Sequence, residues 1–113
     1  MYEMAFKTDN DAMILGVLAE RSLHGYEISK QIKLKSKDAL TLPENKLYPA
    51  LHKLEEQGYI TAEWVPQHGK PDRKVYSITQ EGTRELQNQR SAWQKFVTNI
   101  NSVMMDAAAK EGK

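Results

Sequence analysis

The 113-residue chain contains no cysteine. Disulfide bonds and thiolate metal sites are therefore excluded. The chain also has no apolar run long enough to cross a membrane, and its first residues lack the basic segment and apolar stretch of a secretion signal. These absences predict a cytoplasmic protein with no membrane partner. The length allows one domain with a modest core, which a second chain would help to stabilise.

Groups of residues that could catalyse a reaction or hold a metal are also missing. His52 and Glu56 are one helical turn apart, but two ligands are too few for a metal site. His24 precedes Gly25 at a predicted helix start, where a structural hydrogen bond is the expected role. No nucleophile with its base, phosphate-binding glycine loop or cofactor fingerprint occurs. The sequence therefore predicts no enzyme, no metal site and no cofactor.

Positive charge is concentrated in one part of the chain, although the formal net charge is only +1. Residues 1–29 contain two basic and five acidic residues, whereas residues 30–53 contain six basic and two acidic residues. A basic segment of this kind is typical of a surface that faces nucleic acid. The alternative for lysines such as Lys33 and Lys35 is ordinary solvation on a helix surface.

One predicted helix has the pattern of a DNA recognition helix. It begins near Pro43 and runs to Gln57, where Gly58 supplies the stop. Its leucines recur at i, i+4 and i+7, so they define one buried face. Pro49 removes a backbone donor and is expected to bend the helix or shift its hydrogen bonds. The outer face is polar with a basic shoulder, and comprises Asn45, Pro49, His52 and Glu56, flanked by Lys46 and Lys53 on one side and Tyr48 on the other.

Two short strand patterns follow this helix. Residues Tyr59–Val65 and Lys74–Ile78 are rich in β-branched and aromatic side chains, and the turn-rich segment Pro66–Arg73 joins them. A helix followed by such a hairpin is typical of a winged helix-turn-helix, in which the helix enters a DNA groove and the hairpin tip, or wing, contacts phosphates. The basic residues of the predicted wing are Lys70, Arg73 and Lys74.

The last predicted helix is too long to be covered by the rest of one chain. Thr79 caps it, and its apolar residues form one stripe up to about Met105, so that it would extend about 39 Å. A second copy of the chain is the simplest partner for this stripe, and we expect the tail from Ala107 to be frayed. The residues predicted at the interface of this homodimer are Ile14, Leu18, Leu86, Trp93, Ile100, Val103 and Met104.

The predicted fold is mainly α with a small β-hairpin. A winged helix-turn-helix DNA-binding domain occupies residues 1–79, and a C-terminal dimerisation helix with a frayed tail occupies residues 80–113. Double-stranded DNA is the expected partner. The predicted DNA-binding residues are Asn45, Lys46, Tyr48, Pro49, His52, Lys53, Lys70, Arg73 and Lys74.

Each of these assignments has a simpler alternative. Asn45 and His52 carry groups that could read base edges, but phosphate contact is equally open for both. Lys70 and Arg73 could be solvated loop charges, although a preceding recognition-type helix favours phosphate binding. Tyr48 could be a structural aromatic packed under the helix.

Three segments of the chain resemble the PadR family of bacterial transcriptional regulators, over roughly residues 13–105. They are Leu23–Ile28, then Leu47–Leu51 with Leu54–Ile60, and finally Gly69–Thr79 with Gly82. Their order and spacing are similar to those of the short branch of the family, in which one C-terminal helix follows the winged domain and forms a homodimer. The resemblance implies a regulator, most often a repressor, that binds an inverted-repeat operator and is released by a small aromatic or drug-like effector.

The resemblance also implies roles for individual residues. The contacts to the DNA backbone would come from Tyr48, Lys70 and Arg73. The pair Asn45-Lys46 stands where the family commonly has Gly-Thr or a similar small pair, so the operator sequence does not follow from the resemblance.

A candidate effector site lies on the last helix. Trp93 occupies a place comparable to that of tryptophans that hold flat ligands at the dimer centre in some short family members, and Phe96 and Val97 lie close to it in sequence. The alternative is that Trp93 is simply part of the dimer core.

Two other functions are compatible with the sequence. The first is a winged-helix protein-interaction module, in which the exposed helix face binds a protein and there is no specific DNA binding. The second is a small-molecule sensor, which would need an apolar cavity around Trp93 and no DNA affinity.

Overall fold

The computed structural model describes the backbone of residues 9–111 and the side chains of residues 10–105. Four helices and a three-stranded sheet make up this part of the chain. In chain order they are α1 (Asp9–Leu18), β1 (Leu23–His24), α2 (Gly25–Lys35), α3 (Glu44–Glu56), β2 (Ile60–Gln67), β3 (Lys70–Ile78) and α4 (Gln80–Glu111). The predicted fold class, mainly helical with a winged helix-turn-helix, is confirmed.

The core lies where α1, α2 and α3 pack together against the sheet. The three leucines of α3 are each at most 1% exposed, as their helical spacing predicts. Met13, Ala50 and Ala62 pack at the edge of the core. The buried residues are Ile14, Leu15, Val17, Leu18, Leu23, Ile28, Ile32, Leu42, Leu47, Leu51, Leu54, Ile60, Tyr76 and Leu86.

The ends of α3 are fixed by its sequence. Pro43 is the N-cap residue, and Gly58 follows the helix with a left-handed φ of 81°. The Tyr59 N–H donates to the Leu54 carbonyl at 3.0 Å, and the Gly58 N–H donates to the Glu55 carbonyl at 3.0 Å. This Schellman pattern ends the helix at the predicted glycine.

The predicted effect of Pro49 on α3 is local. The helix continues through Pro49. Because proline has no N–H, the carbonyl of Asn45 lacks the donor that a regular helix would give it.

The sheet is antiparallel with strand order β1-β3-β2. Strands β2 and β3 extend further than predicted, and only His68 and Gly69 form the turn between them. Gly69 adopts a φ of 71°, a left-handed conformation that suits glycine, and a register shift lies between Val65 and Gln67. The wing is therefore a hairpin, as predicted, but its strands extend through most of the segment Pro66–Arg73 that the sequence predicted as turn-rich.

Strand β1 was not predicted. Leu23 pairs with Tyr76, and His24 pairs with Val75. Two residues are too few for a periodic pattern, so the strand exists because β3 offers backbone partners to this segment.

Thr79 joins the winged part of the chain to α4. Its Oγ1 accepts a hydrogen bond from the Gly82 N–H at 3.0 Å and donates one to the Gly58 carbonyl at 2.7 Å. The first bond is the predicted helix cap. Gly82 is required here because a Cβ on it would lie 2.0 Å from the Tyr59 carbonyl oxygen.

Helix α4 extends well beyond the core. It has 32 residues, and the longest dimension of the molecule is 68 Å. The helix reaches Glu111, and residues 112–113 lie outside the described part. Fraying of the tail from Ala107 stays a prediction. Val103 and Met104 are 76% and 61% exposed, and Met105 is also exposed.

Three of the residues predicted at the dimer interface are buried within the single chain, which corrects their assignment. Ile14, Leu18 and Leu86 are at most 4% exposed in the single chain, because α1 packs between the other helices and the first turns of α4. They belong to the core of one chain and have almost no surface left for a second one. Within the described residues, no helix is apolar enough over sufficient length to cross a membrane.

Candidate nucleic-acid interface

The outer face of α3 is open to solvent. Asn45, Pro49 and His52 are exposed on the side of the helix opposite the buried leucines, and Lys46 is exposed on the adjoining shoulder. The structure therefore brings these predicted residues together on one accessible surface. Such a surface can enter a groove without disturbing the core.

One end of this face carries negative charge. His52 Nε2 lies 3.6 Å from Glu56 Oε2, and both side chains are more than two-thirds exposed. A carboxylate repels phosphate, so the cationic end of the face is the one at Lys46.

Two of the predicted cations are already paired within the chain. Lys53 Nζ lies 3.5 Å from Asp11 Oδ2, which ties α3 to α1. Lys74 Nζ lies 3.9 Å from Glu55 Oε1, which ties the wing to α3. Their charges are partly neutralised, so each of these lysines attracts a phosphate less strongly than an unpaired lysine would.

The other three predicted cations are free of such partners. Within the described residues, Lys46, Lys70 and Arg73 form no ion pair. Lys70 directly follows the turn at His68-Gly69, so its charge is at the tip of the wing. Exposed, unpaired cations on both α3 and the wing are suited to two neighbouring stretches of a phosphate backbone.

Tyr48 has a more defined position than the sequence suggested. Its ring lies against the first turn of α2: a Cβ built on Gly25 would be 2.7 Å from Tyr48 Oη and 2.9 Å from Cε1. The side chain is nevertheless 44% exposed. Tyr48 is therefore packed on one side and accessible on the other, which is compatible with both the structural and the binding role that the sequence left open.

A cleft of about 460 Å³ lies between α2, α3 and the wing. We call it the wing cleft. It brings together Tyr48, Arg73 and Lys74, which the sequence identified, with aromatic residues that it did not. The lining residues are His24, Gly25, Tyr26, Tyr48, Trp64, Asp72, Arg73, Lys74 and Tyr76.

His24 is a partly buried lining residue of this cleft. Burial and then the positive charge of Arg73 lower the pKa of His24, and the carboxylate of Glu27 acts in the opposite direction. The imidazole stacks on the Tyr26 ring at 6.3 Å between centroids. Although it is the N-cap residue of α2, its side chain makes no capping hydrogen bond, so the expected structural role is a ring contact instead.

The predicted effector residues lie on α4, away from the wing cleft. Trp93 is half exposed, and its ring is 5.9 Å from that of Phe96. A shallow apolar groove of about 250 Å³ runs beside Trp93. Phe96 and Val97 are not part of its lining, which is Ala12, Met13, Gly16, Leu86, Gln89, Arg90 and Trp93. Within the described residues, no cluster of side chains could hold a metal ion.

Comparison with known proteins connects this arrangement to a family. Residues 14–88 match the model of the transcriptional regulator PadR-like family. The negative transcriptional regulator PadR of Bacillus subtilis is 34% identical over 73 residues, which are 65% of this chain and 40% of that protein. The chain thus spans about two fifths of the length of this relative.

Solved structures agree over a larger share of the chain. A transcriptional regulator from Clostridium thermocellum has 31% identity and a TM-score of 0.76, covering 88% of this chain and 93% of that one. Bacillus subtilis PadR in complex with operator DNA has 30% identity and a TM-score of 0.67, covering 73% of this chain and 45% of that one.

Proposed function

The chain belongs to the PadR-like family of transcriptional regulators, and from this premise we propose that it is a homodimeric DNA-binding repressor of the cytoplasm. Family membership places it among transcriptional regulators and not among enzymes. The proposed operator is an inverted repeat, and a small aromatic or drug-like molecule is the proposed signal for release.

DNA binding is supported most directly by one structural observation. The unpaired cations Lys46, Lys70 and Arg73 are exposed on the two elements that flank the wing cleft. In the proposed complex, α3 lies in a major groove, where Asn45 and His52 face base edges. The wing contacts the neighbouring phosphates, which contributes affinity more than sequence choice.

The proposed homodimer follows from the exposed stripe of α4. Trp93, Val103 and Met104 are each at least half exposed, and Ile100 is half-buried. An apolar stripe on a helix that extends beyond the core of its chain is expected to be buried by another protein surface. A second copy would supply it and would place two recognition helices in successive major grooves, about 34 Å apart, which predicts an operator with two-fold symmetry.

The proposed effector site is at Trp93. The indole borders an open apolar groove and is part of the stripe that the second copy would cover. A flat aromatic molecule stacked there would lie between the two chains. Binding of such a molecule would lower DNA affinity if it changes the distance between the two recognition helices.

The test is fluorescence anisotropy of the purified protein on a duplex from upstream of its own gene, with a shuffled duplex as control, across a salt series. We expect tight, salt-sensitive binding that prefers the first duplex. Two results together would contradict the proposal and would favour a protein-interaction module. They are equal and weak binding of both duplexes, and the failure of the protein to select any duplex from a random pool.

A further inference from the structure

The wing cleft contains an exposed tryptophan, Trp64, to which the proposed DNA contacts give no role. Trp64 is 64% exposed although it is a large apolar ring in a β-strand. It pairs across the hairpin with Lys74, and the next pair on the same face is Ala62 with Tyr76. Tyr76 is buried and Ala62 packs on the core. Since alternate residues share a face, Trp64 and Lys74 continue the core-facing side of the sheet out into the cleft.

One neighbour of the Trp64 ring is the ammonium group of Lys74. Lys74 Nζ lies 5.8 Å from the centre of the Trp64 ring and 5.6 Å from that of Tyr76. The same ammonium is 3.9 Å from Glu55 Oε1 on α3. Lys74 is therefore a positioning residue, which holds the indole towards the recognition helix.

The chemistry of the cleft is aromatic and nearly neutral. Arg73 and Lys74 contribute two positive charges, whereas Asp72 in the lining and Glu55 beside Lys74 contribute two negative charges. Rings and hydroxyl groups dominate the remaining surface, because Tyr26 and Trp64 are each about two-thirds exposed. Such a surface suits a ligand that combines an apolar ring with hydrogen-bond acceptors, more than it suits a bare anion.

The place of the cleft identifies that ligand. Lys46 lies on α3 and Lys70 on β3, two of the elements that line the cleft, and both lysines are exposed. A duplex that contacts both elements must carry its sugar–phosphate backbone across the cleft between them.

From this geometry we infer that the wing cleft binds the DNA backbone, with the Trp64 ring packed on a deoxyribose and the Tyr26 and Tyr48 hydroxyls donating to phosphate oxygens. This inference rests on the proposed function. It adds Trp64 and Tyr26 to the contact surface and gives Lys74 an indirect role in place of a phosphate contact.

The inference is tested with a duplex that the protein selects from a random pool. Trp64→Ala should weaken binding about tenfold, because an apolar contact is lost. The slope of log affinity against log salt should not change, since no charge is removed. The matched control is Thr61→Ala on the same strand, which points to the other face, pairs with Ser77 away from the wing tip and should bind as the wild type does.

A second readout separates contact from a purely structural role. The chain has two tryptophans, so fluorotryptophan labelling gives two fluorine NMR signals, and the one missing from Trp64→Phe belongs to Trp64. This signal should shift when the duplex is added to saturation. The inference is overturned if the signal stays in place, or if Trp64→Ala binds as tightly as Thr61→Ala. Failure of the wild-type protein to select any duplex would overturn the proposed function as well.

Discussion

Tyr48 of the recognition helix packs its ring directly on Gly25, at the first turn of α2. A Cβ at position 25 would lie 2.7 Å from Tyr48 Oη, a distance that real side chains do not adopt. Position 25 is buried, and only a hydrogen atom fits between the two helices there. The glycine therefore fixes where the hydroxyl of Tyr48 sits in the wing cleft.

Gly25→Ala should lower DNA affinity more than it lowers stability. The nearest atoms are at the far end of a side chain that can rotate away, so the fold adjusts while Tyr48 leaves its position. Anisotropy and thermal unfolding measure the two effects. The control is the Tyr48→Ala background, in which Gly25→Ala should no longer affect binding if it acts through Tyr48.

Gly82→Ala should destabilise the protein by about 3 kcal/mol, because a fixed backbone atom blocks the new methyl group. The Tyr59 carbonyl oxygen would lie 2.0 Å from the Cβ, and it is held by a 3.0 Å hydrogen bond from the Thr79 N–H. Urea unfolding gives the free energy. Gly16→Ala in α1 is the control, since no atom of the described residues lies within 4 Å of a Cβ there, and it should stabilise by about 0.5–1 kcal/mol. Similar losses for both variants would contradict this account.

Removing the unpaired cations should change the salt dependence of DNA binding. Lys70→Ala and Lys46→Ala should each weaken binding to all duplexes and reduce the salt slope by about 1. Lys53→Ala should reduce the slope less, because Asp11 already neutralises part of that charge at 3.5 Å. Anisotropy at several salt concentrations measures the slopes. Equal slopes for the three variants would show that the internal ion pair does not matter for binding.

Stability should fall as the pH is lowered through the titration of His24. Burial, followed by the charge of Arg73, lowers the pKa of His24 in the folded state, so the unfolded chain binds the proton at a higher pH. The contribution is therefore complete above the ordinary histidine pKa of about 6.5 and is lost as the pH falls from there through the folded pKa. Urea unfolding at several pH values should show this decrease in the wild type and a smaller one in His24→Gln. His68→Gln, in the exposed turn of the wing, should leave the decrease unchanged.

Met104→Glu should convert the proposed dimer into single chains. The side chain is 61% exposed on the apolar stripe of α4, and a charge there could be buried only at a large cost. Sedimentation equilibrium gives the mass. Ser102→Glu is the control, because residues two apart on a helix point to nearly opposite sides. A wild-type protein that already sediments as one chain would overturn the dimer itself.

Much of the fold could be predicted because its signals are local. The leucine spacing of α3, the cap at Thr79 and the stop at Gly58 each depend on residues within one or two helical turns. The two long strands could be recognised from their composition, although their ends could not, since strand pairing extends β2 and β3 almost to the Gly69 turn.

The sequence by itself determined which residues are apolar, which are charged and with what period they recur, and this was enough to identify a recognition helix, a wing and a long last helix. Only the tertiary structure decided what each face packs against. Ile14, Leu18 and Leu86 satisfy the same periodic pattern as an interface but are buried within one chain. The wing cleft joins Tyr26, Tyr48 and Trp64 from three separate elements. A periodic pattern indicates which side chains are buried, whereas the residues that they pack against depend on how distant segments of the chain pack in space.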